Sequence, residues 1–228
     1  MRDLPNGSTR TRAYLVKRLL LDLFYPNRCP FCDEIIPFDE CFCKLCGGKL
    51  SKPPMITDIS GLDGFAAATV YDSVSIPFVS EMKKRNNGYA LSGAAFKIYE
   101  RLLKTDILSE VDVVTYVPMD KKGIYKRGYN QTKIMAAEIA GLSGIPCAGL
   151  LKKIKATEEQ KKLGAEDRRT NVAGAFALFD KVNVKDKIVL VIDDVSATGS
   201  TLSEAARALK AGGAVKVFGA VFAKTKLK

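Results

Sequence analysis

In the stretch VIDDVSATGST, Val191 to Thr201, an apolar run meets two adjacent carboxylates, Asp193 and Asp194, and then a string of small residues. Carboxylates at the carboxyl end of a buried strand can accept hydrogen bonds from the vicinal hydroxyls of a ribose, or hold a divalent cation. The loop from Ser196 to Ser200 carries no large side chain, so its backbone N–H groups can close around a phosphate. A helix beginning near Thr201 would add the positive end of its dipole, and Thr198 and Thr201 would add hydroxyl donors. These parts make a sugar-phosphate site. Two plainer readings stand beside it. Thr201 and Glu204 fit a capping box that merely starts a helix. An acidic pair after a strand is also the form of a Walker B element, although no G-x-x-x-x-G-K-[ST] accompanies it, and no Gly-x-Gly-x-x-Gly.

A second constellation lies near the N-terminus, where five of the six cysteines fall within eighteen residues. Two C-x-x-C knuckles, Cys29/Cys32 and Cys43/Cys46, are ten residues apart. Each turns two thiolates toward one ion, and two pairs complete a closed tetrahedral site suited to structural Zn2+. Disulfides and an iron–sulfur cluster are the competing uses; a reducing compartment disfavours the first. Cys41 offers an alternative ligand through Cys41-x-Cys43, and Cys147 reads as a small buried hydrophobe.

Composition limits the chemistry further. There is no histidine among the 228 residues, which excludes Ser-His-Asp and Cys-His catalysis in their usual forms. A formal charge of +11 favours an anionic partner: nucleic acid, a phosphorylated metabolite or an acidic membrane surface. The first residues are basic, but Lys17, Arg18 and Asp22 interrupt their apolar part, so neither a secretory signal nor a membrane span is expected. The expected location is cytoplasmic, with Arg10–Tyr25 either a basic amphipathic helix peripheral to the inner face of the membrane or an ordinary surface helix.

Holding the acidic pair at a sheet edge requires a parallel sheet. Strands are expected at FAAATVYD, VDVVTYVPMD, GAFAL, KIVLVI (ending at Ile192) and AVKVFGAVFA, alternating with helices. The helices are IPFVSEMKKRNNG, GYALSGAAFKIYERLLKTDILS with Leu91, Ala94, Ala95, Ile98 and Leu102 on one stripe, YNQTKIMAAEIAGLSG, and TLSEAARALKAGG. A basic loop follows VDVVTYVPMD. In such α/β sheets ligands bind at the carboxyl ends of strands, where Asp193 and Asp194 fall. The expected organisation is a basic helical segment over residues 1–28, a four-cysteine ribbon over 29–50, a linker over 51–64 and an α/β domain over 65–228.

VLVIDDVSATGST resembles the phosphoribosyl pyrophosphate (PRPP) motif of type I phosphoribosyltransferases, with Ser196 where an apolar or aromatic residue is usual. YVPMDKKGIYKRGYNQTKIMAAEIA is similar to the Val-Pro…Arg-Gly-Phe-Asn-Gln block of the competence protein F family. KATEEQKKLGAEDRRTNVAGAF is similar to its Thr-x-x-Gln…Arg-x-x-Asn block, and the four-cysteine ribbon belongs to the same family. The resemblance implies a type I phosphoribosyltransferase-like sheet flanked by helices, with a small N-terminal zinc ribbon. Asp193 and Asp194 would hold the ribose hydroxyls, and Ala197, Thr198, Gly199, Ser200 and Thr201 the 5′-phosphate. Asp120 and Lys121 would lie near the β-phosphate. Arg127, Asn130 and Gln131, with Tyr129 replacing Phe, fill the second block, and Lys152–Asn171, with Gln160, Arg168 and Asn171, corresponds to a flexible loop over the substrate. Any turnover would displace pyrophosphate at the ribose C1, with Mg2+ neutralising the leaving group. Three functions follow as expectations: a PRPP-binding factor that handles single-stranded DNA with the DNA-uptake machinery in natural transformation, an active phosphoribosyltransferase, or a non-catalytic partner protein.

Overall fold

The computed structural model describes residues 26–29, 31–37, 40, 42–53, 58–84, 88–154 and 173–225. The N-terminal helical segment, Cys41, Thr157, Gln160, Arg168 and Asn171 lie outside them.

Four strands form the main sheet: β1 (Gly64–Val70), β2 (Val113–Tyr116), β5 (Ile188–Ser196) and β6 (Lys216–Lys224). Their order is β1-β6-β5-β2 and every pairing is parallel. A parallel sheet must be covered on both faces, and the alternation of side chains supplies an apolar set for each. One face carries Leu190, Ile192, Phe218, Ala220 and Phe222, and packs on α3 (Gly88–Leu102) and α6 (Gln131–Ser143). The stripe predicted for α3 is buried throughout. The opposite face carries Val189, Val191, Val217 and Val221 under α7 (Ser200–Ala211).

This arrangement locates a crevice. The helix that follows β2 lies on one face and the helix that follows β5 on the other, so the gap between the carboxyl ends of these adjacent strands is a topological switch point.

Short elements complete the chain: α1 (Lys44–Gly48), α2 (Ser75–Glu81), α4 (Ile107–Glu110), α5 (Lys121–Arg127), β3 (Leu151–Lys153) and β4 (Phe176–Leu178). Several depart from the sequence reading. The strand expected to stop at Ile192 runs on to Ser196, because β6 keeps pairing through Asp193↔Val221, Val195↔Ala223 and Ser196↔Lys224 after β2 has ended at Tyr116↔Ile192. The helix expected over GYALSGAAFKIYERLLKTDILS stops at Leu102, where Thr105 turns back to bond the Leu102 carbonyl through both N–H and Oγ1. The basic loop after β2 contains α5, started by the Asp120 side chain and closed by Gly128 in the left-handed region. The GAFAL strand is β4, and it pairs antiparallel with β3 outside the main sheet. Lys152 and Lys153 therefore belong to a strand, not to the flexible loop. Gly212 makes room for this hairpin, since a Cβ there would stand 2.1 Å from Leu178 Cδ1. Cys147 is exposed and not buried, on an isolated bridge to Val114 beyond the β2 edge.

Candidate functional site

A small crevice opens at the carboxyl end of β5, lined by Asp193 and by Val195 through Leu202. Asp193 alone of the acidic pair lines it, and the two members meet different surroundings. Asp193 is 7% exposed and accepts the Asp194 N–H at 2.8 Å. Burial, then the neighbouring Asp194 charge, push its carboxyl well above the usual range. Asp194 points toward α6. Its Oδ2 accepts the Gln131 carboxamide at 3.0 Å and lies 3.6 Å from the Lys83 ammonium, while Oδ1 accepts the Val195 N–H.

The wall is the loop between β5 and α7. Gly199 caps the helix with φ +87, and a Cβ there would stand 2.8 Å from Ile59 Cγ2, so both backbone and space demand glycine. Thr198 Oγ1 and Ser200 Oγ are 2.6 Å apart. The Ala197 carbonyl is clamped from behind by Lys224 Nζ at 2.5 Å and Thr225 Oγ1 at 2.7 Å. Lys224 is 4% exposed, and burial lowers its pKa. The predicted capping box does not form. Glu204 instead accepts the Gly174 N–H at 2.8 Å and the Arg207 guanidinium, tying α7 to the end of the β3–β4 connection.

The block after β2 acts as a joint. Tyr129 Oη lies 2.8 Å from the Met82 carbonyl and 2.7 Å from that of Lys84. Asn130 caps α6 through Oδ1, and its Nδ2 donates to the Val117 carbonyl. Gln131 reaches Asp194 and is 5% exposed; its Oε1 is buried with no hydrogen-bond partner, as is Ser196 Oγ. Asp120 caps α5, accepting the Gly123 N–H at 2.6 Å with Lys153 Nζ at 3.3 Å. That N–H and the lysine hold its carboxyl below the usual range. Lys121 is exposed and Arg127 half-buried, both on α5.

The structure thus lines one crevice with Asp193 and Ala197–Thr201, holds Asp194 beside it by the Gln131 hydrogen bond, and sets Asp120, Lys121 and Arg127 beyond the carboxyl end of adjacent β2. Lys83 and Lys224 escaped the sequence reading. Lys83 is one of many basic residues in EMKKRNNG, and Lys224 closes an apolar strand whose pairing alone brings it under the loop.

At the other end, the Sγ atoms of Cys29, Cys32, Cys43 and Cys46 all lie within 4.8 Å of one another. A tetrahedral ion with bonds of about 2.3 Å spaces its sulfurs by roughly 3.8 Å; Cys32 and Cys43 are 3.7 Å apart. The first knuckle is a turn with a Cys29 N–H to Glu34 carbonyl bond, and the second is the N-cap of α1, where Cys43 Sγ accepts the Cys46 N–H. Burial pushes the Cys29 thiol up, but the N–H groups of Cys43, Phe31 and Cys32 outweigh it and leave the thiol at about 7. Four thiols so placed fit a soft, closed metal site.

The parallel α/β sheet carries a loop of small residues at its switch point, and the family described as phosphoribosyl transferase domain matches residues 123–226, which makes this a phosphoribosyltransferase-like domain. The DNA utilization protein YhgH of Salmonella typhi is 32% identical over 177 residues, covering 75% of this chain and 74% of that protein. Competence protein F of Haemophilus influenzae is 33% identical over 109 residues, 47% of this chain and 48% of that protein, so the match spans about half its length. The chain belongs to the family of competence protein F and the YhgH proteins. Among solved structures, the allosteric regulatory enzyme of purine biosynthesis aligns at TM-score 0.40 and 22% identity, over 58% of this chain and 26% of that one. The purine phosphoribosyltransferase of Pyrococcus horikoshii aligns at TM-score 0.38 and 23% identity, over 60% and 77%.

Proposed function

We propose that this protein binds PRPP, or a related phosphoribosyl ligand, across Asp193–Asp194 and the loop Ala197–Thr201, and that it serves single-stranded DNA handling in natural transformation. The observation that carries the first part is the crevice itself: a buried carboxylate with a second beside it, a small-residue loop and a helix N-terminus meet at the switch point of a parallel sheet. In this reading the carboxylates take the ribose hydroxyls, the loop takes the 5′-phosphate, and Asp120, Lys121 and Arg127 face the diphosphate. Mg2+, arriving with the ligand, would supply charge neutralisation at the diphosphate. Structural Zn2+ fills the four-cysteine site, making residues 29–50 a ribbon beside the α/β domain of 65–228.

The names of the relatives support the second part, as does the net charge of +11, whose natural partner is a polyanion. Partners in the DNA-uptake machinery follow from the same names. No helix among the described residues is long and apolar enough to cross a membrane.

Calorimetry tests the ligand. PRPP with Mg2+ should bind the native chain and not the double variant Asp193→Asn/Asp194→Asn; equal binding by both would remove the site from the crevice. Fluorescence anisotropy tests the nucleic acid: affinity for a single-stranded oligonucleotide should fall steeply with salt, and no binding at low salt would refute the DNA reading. Pyrophosphate release across a panel of bases and amines would mark the chain as an active transferase.

A further inference from the structure

Two adjacent carboxylates are a poor welcome for an anionic ligand unless something offsets their charge before it arrives. The structure holds such a group. The Lys83 ammonium lies 3.6 Å from Asp194 Oδ2, and its side chain is 36% exposed against 13% for Asp194. An incidental surface lysine would sit on an unrestrained backbone, and this one does not. The Tyr129 hydroxyl lies within hydrogen-bond distance of the carbonyls on either side of it, those of Met82 and Lys84, and donates its one proton between them, and the Met82 side chain is fully buried. Tyr129, Asn130 and Gln131 are consecutive: the first fixes the backbone that carries the cation, and the third holds the carboxylate it faces.

A second observation concerns the residue that holds Asp194. Gln131 donates to Asp194 through Nε2, yet Oε1 of the same carboxamide is buried with no partner. A buried acceptor without a donor costs free energy, and a hydroxyl proton or a metal-bound water that reached it when a ligand occupies Asp194 would remove that cost.

We propose that Lys83 is the resident counter-ion of the acidic pair: its ammonium holds the place at Asp194 that a divalent cation would otherwise take, and it passes to the ligand's phosphate oxygens when sugar hydroxyls occupy the pair. The proposal rests on the phosphoribosyl reading and deepens it, because it makes sugar-phosphate binding partly independent of Mg2+. The ion pair at 3.6 Å is longer than a charge-assisted hydrogen bond, which leaves the lysine free to exchange partners. Gln131 is the positioning residue that keeps Asp194 in place during the exchange.

The test uses the full chain with its four-cysteine site filled, and Lys83→Met, which keeps the apolar stem and removes the charge. Mn2+ alone is titrated and followed by electron paramagnetic resonance. Lys83→Met should bind Mn2+ at the crevice at least about fivefold more tightly than the native chain, the lower end of typical coupling between sites, and Lys83→Arg should restore native behaviour. Equal Mn2+ affinity in all three chains would overturn the proposal. In the second arm PRPP is titrated without added Mg2+. The native chain should bind and Lys83→Met should lose about tenfold in affinity, recovered when Mg2+ is added; equal affinity without Mg2+ would also overturn it. Failure of the phosphoribosyl reading looks different. PRPP would then bind none of the chains under any condition, while the Mn2+ difference would still establish Lys83 as the counter-ion.

Discussion

Asp193 and Asp194 are the same residue type in adjacent positions, and the fold gives them separate work. Asp194 is fixed by Gln131 and faces Lys83, whereas Asp193 is buried beside the loop and forms no ion pair among the described residues. A carboxyl whose pKa is raised in the folded state binds its proton more tightly there than in the unfolded chain. Its contribution is therefore full at acid pH and is lost as pH rises from the ordinary carboxylate range through the raised value. Asp193→Asn removes that loss. At pH 8 it should raise Tm by on the order of 2–4 °C, the shift that about 1 kcal/mol produces in a chain of this size, while abolishing PRPP binding in calorimetry. A lower Tm would contradict the account of Asp193. Lys224 is a second residue-scale case. Its buried amino group donates to the Ala197 carbonyl from behind the loop between β5 and α7. Lys224→Met should weaken ribose 5-phosphate binding by about tenfold, the scale of one hydrogen bond to a charged group; unchanged affinity would make the lysine merely a loop clamp. The acidic pair was legible because its chemistry is local. Lys83 and Lys224 were not, because only tertiary pairing distinguishes them from the other basic residues.

At the scale of elements, β5 and α7 define the site through the turn between them. Gly199 has φ +87 and meets Ile59 where a Cβ would stand. Gly199→Ala should cost about 1–3 kcal/mol of stability, the range for a strained backbone position, seen as a lower midpoint in denaturant, together with loss of phosphate affinity. The order of elements could be read from hydropathy, since KIVLVI and AVKVFGAVFA are apolar runs that suit only a doubly covered sheet. Their ends could not. The extension of β5 to Ser196 depends on the length of β6, and Glu204 left its expected cap for Gly174, a residue far off in sequence. The α5 helix was hidden in a run of lysines whose charge suggested a loop, although Asp120 and Gly128 are ordinary start and stop signals.

Across the whole molecule, a chain of phenylalanines joins the cysteine module to the sheet that carries the crevice. Phe31 and Phe42 of the module pack on Phe78 of α2 at 4.8 and 5.2 Å, and Phe78 packs on Phe222 of β6 at 4.6 Å. The same α2 leads directly into Met82 and Lys83. The module's own core is little more than Cys29, Ile36 and Cys43, too small to hold a fold without its metal. Metal analysis should find one Zn2+ per chain; iron in its place would contradict the assignment. Removing the metal should disorder residues 26–50 and, through α2, lower PRPP affinity several-fold. Affinity unchanged after complete removal would show the two parts to be independent. The paired knuckles made the module readable in sequence, but its docking on Phe78 was not, because four phenylalanines distant in the chain carry it.

In the proposed function a phosphorylated sugar sits against the loop between β5 and α7. Titration of the 15N-labelled chain with ribose 5-phosphate, followed amide by amide in two-dimensional NMR spectra, tests it most directly. The largest shifts are expected at the N–H groups of Ala197, Thr198, Gly199, Ser200 and Thr201, with smaller ones at Asp193 and Asp194 and saturation at one ligand per chain. Shifts centred elsewhere, or none at the loop under saturating ligand, would contradict it.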